Sequence, residues 1–243
     1  MASSSADPQT TANETGVPQR GPAARFIVTG FGPFGGVKEN PTTIIVKTLR
    51  PFLAQQPDRK ELLESVEDCI ILETSTQGVK ELCTQLHDKE QEASSSRLIL
   101  LHLGVDATSK SFKLETCAYN QATFRIPDVR GLCPYNESIF EEETYAACLK
   151  TDLDVEQVAA VMKNRFPAIT TRVSTDPGRY VCNYVYCSTL QQLGNKTGDS
   201  AIDGTGCSSL FLHVPPFGVV PEEEQLEYVS SLMEELIKSV EPR

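Results

Sequence analysis

The sequence predicts an α/β fold, one domain with a largely parallel sheet covered by helices on both faces. Two observations carry that reading. Short strand-like runs, most of them largely apolar, at residues 26–29, 69–72, 98–103, 171–174 and 210–214, alternate with longer segments of helical period. Strands apolar at every position are those buried on both faces, and strand and helix taking turns is the pattern of parallel sheets between helical layers. A chain of 243 residues, 40% of them apolar, is long enough to bury one substantial core.

The first 24 residues, MASSSADPQTTANETGVPQRGPAA, have neither an apolar stretch nor a basic amphipathic pattern. They read as a disordered tail rather than a signal peptide, which leaves 25–243 as the folded domain. Asn40 before Pro41 is a helix N-cap and first helical position, with Ile45, Leu49, Phe52 and Leu53 on one face. Thr76 opens a second helix that buries Val79, Leu82, Cys83 and Leu86. Asp154 caps a third, with Val158, Val161 and Met162 inward. A fourth runs over 178–193 and a long terminal one over 221–240. Residues 110–120 make an extra strand or hairpin, 127–150 are irregular, 94–96 are a short connection, and 195–208 are a polar surface insertion.

Ligands of open parallel sheets bind outside the carboxyl ends of the strands. Four segments follow strand ends here: 30–36, the residues after Leu103, 176–182 and 213–216. They are expected to converge on one edge.

Composition excludes several classes. Formal net charge is −11, from 22 basic and 33 acidic residues, and no basic stripe with interleaved aromatics is present, which argues against nucleic acid as a partner. No apolar run reaches the ~18 residues of a membrane span. Eight cysteines without a secretion signal suggest reduced thiols and a cytoplasmic location. With three histidines, at 87, 102 and 213, and no CxxC pair, a zinc site is not expected.

Gly30-Phe31-Gly32-Pro33-Phe34-Gly35 formally matches a dinucleotide-binding glycine loop. Pro33 removes an amide, the helix starts only at Asn40, and no acidic residue ends a second strand about 20 residues on. Phe31 and Phe34 on a rigid loop at the ligand edge fit better as walls of a small flat pocket. Among the cysteines, Cys69 and Cys83 read as core. Cys182 differs, because the turn 176–181 places it near a helix N-terminus, where dipole and amides favour a thiolate. Cys187 lies roughly 140° further round that helix and points elsewhere. His213, at the carboxyl end of a strand, is a candidate general base, with Glu115 as a candidate orienting carboxylate. His102, in mid-strand, reads as structural and His87 as solvent-facing.

Six motifs in order, TGFGPFGG at 29–36, NPT at 40–42, LETCAYN at 114–120, RIPD at 125–128, DPGRYVCNYVY at 176–186 and HVPP at 213–216, resemble the pyroglutamyl-peptidase I family of cysteine peptidases over about 26–240. The resemblance implies an α/β/α sandwich around a twisted, mainly parallel sheet. It implies Cys182 as nucleophile, His213 as base and acid, and Glu115 as the carboxylate that orients the imidazole. Phe31 and Phe34 would enclose a pyrrolidone ring, and Asn40 would support their loop. The backbone amides of Arg125 and Cys182 would form the oxyanion hole. The implied partners are pyroglutamyl peptides, and a homo-oligomer is compatible with it; no cofactor or metal is implied. Bacterial members often carry Gln where this chain has Val105, and the 195–208 insertion is a further departure. The rival readings are a nucleotide-dependent oxidoreductase using the glycine loop and a catalytically silent binding homologue.

Overall fold

A computed structural model describes residues 24–36, 39–90, 96–194 and 206–240. The expected tail, apart from Ala24, and most of the 94–96 connection and the 195–208 insertion lie outside these residues. The main sheet has six strands: β1 Ala24–Phe31, β2 Val66–Leu72, β3 Arg97–Val105, β4 Phe112–Glu115, β7 Thr171–Ser174 and β8 Cys207–Val214. Their order is β2-β1-β3-β8-β4-β7. The first four run parallel; β4 is antiparallel to β8 and parallel to β7. Two short strands, β5 Cys117–Tyr119 and β6 Cys148–Lys150, pair separately as an antiparallel ribbon.

Side-chain alternation along the central strands builds two cores. Phe26, Val28, Ile99, Leu101, Leu103, Leu210, Leu212 and Val214 face one layer, formed by helices α1 Pro41–Ala54, α2 Lys60–Ser65, α4 Val155–Arg165 and α6 Glu222–Val240. Ile27, Phe31, Leu98, Leu100 and Phe211 face the other, formed by α3 Thr76–Glu90 and α5 Val181–Gly194. This is the predicted mostly parallel sheet between two helical layers. Among the described residues, no helix is long and apolar enough to cross a membrane.

Most boundaries fall within a few residues of those expected. Asn40 caps α1, its side chain accepting from Thr42 N at 3.1 Å, and Asp154 caps α4 by accepting from Gln157 N at 3.0 Å. Two details differ. Residues 110–120 divide between two sheets, because β4 joins the main sheet beside β8 while β5 turns away to pair with β6. The helix expected from 178 starts at Val181, since Gly178 sits at φ +79° and the preceding segment is a turn. Cys69 and Cys83 are half-buried at the margins of the cores rather than inside them, and Val161 and Phe52 are also half-buried.

Candidate active site

The strand ends converge as the topology requires. Residues from all four expected segments (Phe31, Phe34, Val105, Asp176, Cys182 and His213 among them) line one cavity of about 830 Å³. That size lies within the range of small-molecule sites.

Strand parity explains why the polar groups meet. His213 lies on the same face of β8 as Phe211, toward α5. In the antiparallel register Lys113 is opposite His213 and Glu115 opposite Phe211, so Glu115 shares that face, one diagonal step from His213. His213 Nδ1 and Glu115 Oε1 are 2.8 Å apart, with Glu115 wholly buried. This leaves Nε2 to face Cys182, which lines the same cavity and is among the groups that raise the imidazole pKa. Burial alone would lower the imidazole pKa. Hydrogen bonds and negative charge from Cys182 and Glu115 outweigh it and raise the value to about 9. Oε2 of Glu115 has no hydrogen-bond partner among the described residues, so the carboxylate is committed to the histidine on one oxygen only.

Cys182 occupies the first turn of α5, where backbone amides lack intrahelical acceptors. Its neighbours fix it against β5 and the end of β4. Asn183, fully buried, accepts from Tyr119 N at 2.8 Å and donates to Tyr119 O and Gln121 O at 2.8 and 2.9 Å. Tyr186, one turn after Cys182, donates to the Glu115 carbonyl at 2.9 Å. Beneath the thiol runs Gly104 of β3, which has no side chain to displace it. Sequence reasoning assigned no role to Asn183, Tyr186 or Gly104. The first two stand in the DPGRYVCNYVY run, but nothing in that run tells which backbone their polar atoms meet. Cys187 is fully buried on the other side of the helix, and burial pushes its thiol up to about 12, as an inert core cysteine requires.

The loop after β1 forms another wall. Phe31 is almost fully buried and Phe34 half-buried, both lining the cavity. Asn40 Nδ2 donates to Gly32 O at 3.3 Å, Thr74 Oγ1 donates to the same carbonyl at 3.1 Å, and Thr42 Oγ1 accepts from Phe31 N at 3.0 Å. The helix cap and the aromatic loop are thus one hydrogen-bonded unit. Arg125 and Ile126, both exposed, also line the cavity. Asp128 anchors their segment by accepting from Thr76 N at the start of α3, 3.0 Å away, and from the amides of Arg130 and Leu132. The remaining histidines stand apart from the site. His102 is buried between Thr29 Oγ1 at 2.8 Å and Thr189 Oγ1 at 3.2 Å, and His87 is exposed. Among the described residues, no cluster of His, Cys, Asp and Glu is arranged to hold a metal ion.

A cysteine and a carboxylate-oriented histidine at the ligand edge of an α/β sheet form the arrangement used by thiol hydrolases. The chain belongs to the pyroglutamyl peptidase family, whose model matches residues 24–240. It is 31% identical over 191 residues to the pyrrolidone-carboxylate peptidase of Thermococcus litoralis, covering 79% of this chain and 76% of that one. It is 25% identical over 222 residues to human pyroglutamyl-peptidase 1, covering 90% and 93%. Among solved structures, the pyrrolidone carboxyl peptidase from Thermococcus litoralis aligns with a TM-score of 0.67 at 25% identity over 87% of this chain and 92% of its own. That from Pyrococcus furiosus aligns with a TM-score of 0.70 at 23% identity over 89% and 100%, and shares the fold.

Proposed function

We propose that this protein is a cysteine peptidase that removes an N-terminal pyroglutamyl (5-oxoproline) residue from peptides. The observation that carries the reading is His213, bonded to Glu115 at 2.8 Å and sharing with Cys182 a cavity walled by Phe31 and Phe34. Cys182, as thiolate, attacks the pyroglutamyl carbonyl carbon, forming a C–S bond. The backbone amides of Cys182 and Arg125 hold the resulting oxyanion, a type of contact worth ~3–4 kcal/mol per donor. His213 gives its proton to the peptide nitrogen as the C–N bond breaks, and the shortened peptide departs with a free amine. The neutral imidazole then takes a proton from water, and the oxygen adds to the thioester. Breaking the C–S bond releases pyroglutamate and regenerates Cys182. Glu115 fixes the imidazole tautomer and supports its charge throughout.

The lactam is neutral, so a largely apolar slot between two rings suits it better than a charged one. Open-chain glutamate or glutamine would bring an ammonium into that slot at a cost. Nothing in these steps calls for a metal or cofactor. None of the eight cysteines is bridged, which supports a reducing, cytoplasmic setting, and self-association is compatible with the reading.

Hydrolysis of a pyroglutamyl p-nitroanilide, with and without iodoacetamide, tests the proposal. Turnover is expected to be thiol-dependent, absent in Cys182→Ala and largely retained in Cys187→Ala. Binding of the amide without turnover would favour a silent homologue, and the reverse behaviour of the two variants would overturn the choice of nucleophile.

A further inference from the structure

Beyond His213 in the sheet order comes β4, and its first inward-facing residue on this side is Lys113, directly opposite His213 in register. Phe31 ends β1 and Phe34 follows it, on the opposite side of His213. A peptide bond poised over Cys182 and His213, with its lactam between the rings, therefore sends its departing half toward β4. This orientation rests on the proposed peptidase reading.

Lys113 lines the cavity with a half-buried side chain. Its Nζ is 2.6 Å from Asp106 Oδ2. Asp106 is itself fixed: its Oδ1 accepts from Thr108 N at 3.0 Å and Thr108 Oγ1 at 2.8 Å, and its amide donates to Val214 O, next to His213. Burial would raise the Asp106 pKa, but the bonds from Lys113 and Thr108 outweigh it and lower the value to about 2, so the carboxylate stays ionised. An ammonium has three donors, and among the described residues Asp106 is the one acceptor bonded to Lys113 Nζ. Of the other basic groups on the cavity wall, Arg125 is exposed on the RIPD segment, and Arg179 is occupied. Arg179 donates to Gln121 Oε1, Asp176 Oδ1 and Gly178 O, and Gln121 Nε2 donates to Thr123 Oγ1.

We infer that Lys113, aimed by Asp106, is a specificity-determining residue on the leaving-group side, donating to the main-chain carbonyl or carboxylate oxygen of the residue after pyroglutamate. The cavity then selects true peptides over amides whose leaving group lacks that oxygen.

The test compares kcat/KM for pyroglutamyl-alanyl-alanine with that for the pyroglutamyl p-nitroanilide, whose leaving group has no main-chain carbonyl. The readout is the ratio of the two, which does not depend on the fraction of enzyme folded. Lys113→Met is expected to lower the ratio about 10-fold or more, as losing a hydrogen bond to a charged donor implies. The loss should lie mainly in KM for the peptide. Lys113→Arg should restore the ratio to within about threefold, and Asp106→Asn should lower it less than Lys113→Met. A ratio unchanged within twofold in Lys113→Met, or equal losses on both substrates, would overturn the inference and leave the peptidase reading standing. A wild-type protein inactive on both substrates would overturn the reading itself, and this inference with it.

Discussion

A β-carbon placed on Gly104 would lie 3.1 Å from Cys182 Sγ and 2.6 Å from the Phe211 ring, so the sulfur sits where β3 presents no side chain. Cys182, the proposed nucleophile, lies against the central sheet. Gly104→Ala must move Cys182, Phe211 or both. The expected result is a loss of stability of ~1–3 kcal/mol from overpacking and a fall in kcat of up to ~100-fold from a misplaced thiol. Denaturant unfolding and hydrolysis of the pyroglutamyl p-nitroanilide measure the two. Wild-type values for both would show that the contact is slack.

His213→Ala should reduce kcat by ~10²–10⁴, the usual worth of a general acid–base group. Glu115→Gln should cost less, ~10–100-fold, because the imidazole can still reach the thiol without its carboxylate. The pH profile separates orientation from charge. If His213 protonates the leaving amine as proposed, its imidazolium persists until pH about 9, so wild-type activity should fall along an alkaline limb near that value. Glu115→Gln removes one of the influences that raise the pKa, and its limb should move toward neutral pH. An unmoved limb would count against the Glu115 role.

The same raised pKa makes a stability statement. A histidine held above its unfolded value of ~6.5 stabilises the fold fully below that pH and loses the contribution as pH rises through about 9. His102 has the opposite sign. Complete burial lowers its pKa to about 3, so the folded state requires the neutral ring while the unfolded chain takes up a proton below ~6.5. Stability should therefore fall as pH drops from ~6.5 toward 3, with this residue contributing a slope of up to ~1.4 kcal/mol per pH unit. Urea unfolding of wild type and His102→Gln between pH 7.5 and 4.5 should show the excess slope in wild type alone. Parallel curves would mean that the ring is hydrated or charged in the fold.

Phe34→Ala tests the lactam slot. Loss of ring contact and looser positioning should lower kcat/KM for pyroglutamyl substrates, with kcat also reduced. The wild-type protein should prefer the pyroglutamyl amide strongly over prolyl and glutaminyl amides. Equal wild-type rates on all three would remove the basis for a slot between Phe31 and Phe34. NAD binding that responds to Phe34→Ala would revive the dinucleotide reading.

The sequence by itself determined the layered fold and the edge where the site would lie. Both follow from local rules: uninterrupted apolar runs mark doubly buried strands, Asn40 and Asp154 mark helix starts, and the ends of parallel strands gather ligands. It also singled out Cys182, because a helix N-terminus is a local feature. The partnership of Glu115 and His213, 98 positions apart, was decided by tertiary structure. It depends on β4 entering the sheet antiparallel beside β8 in a register that puts both residues on the α5 face. A single-residue slip would send Glu115 to the opposite core. The same holds for Asn183, Tyr186, Lys113 and the bare surface of Gly104. Their side chains, or the lack of one, have meaning only against backbone brought from elsewhere in the chain, and no periodicity or spacing along the sequence encodes that approach.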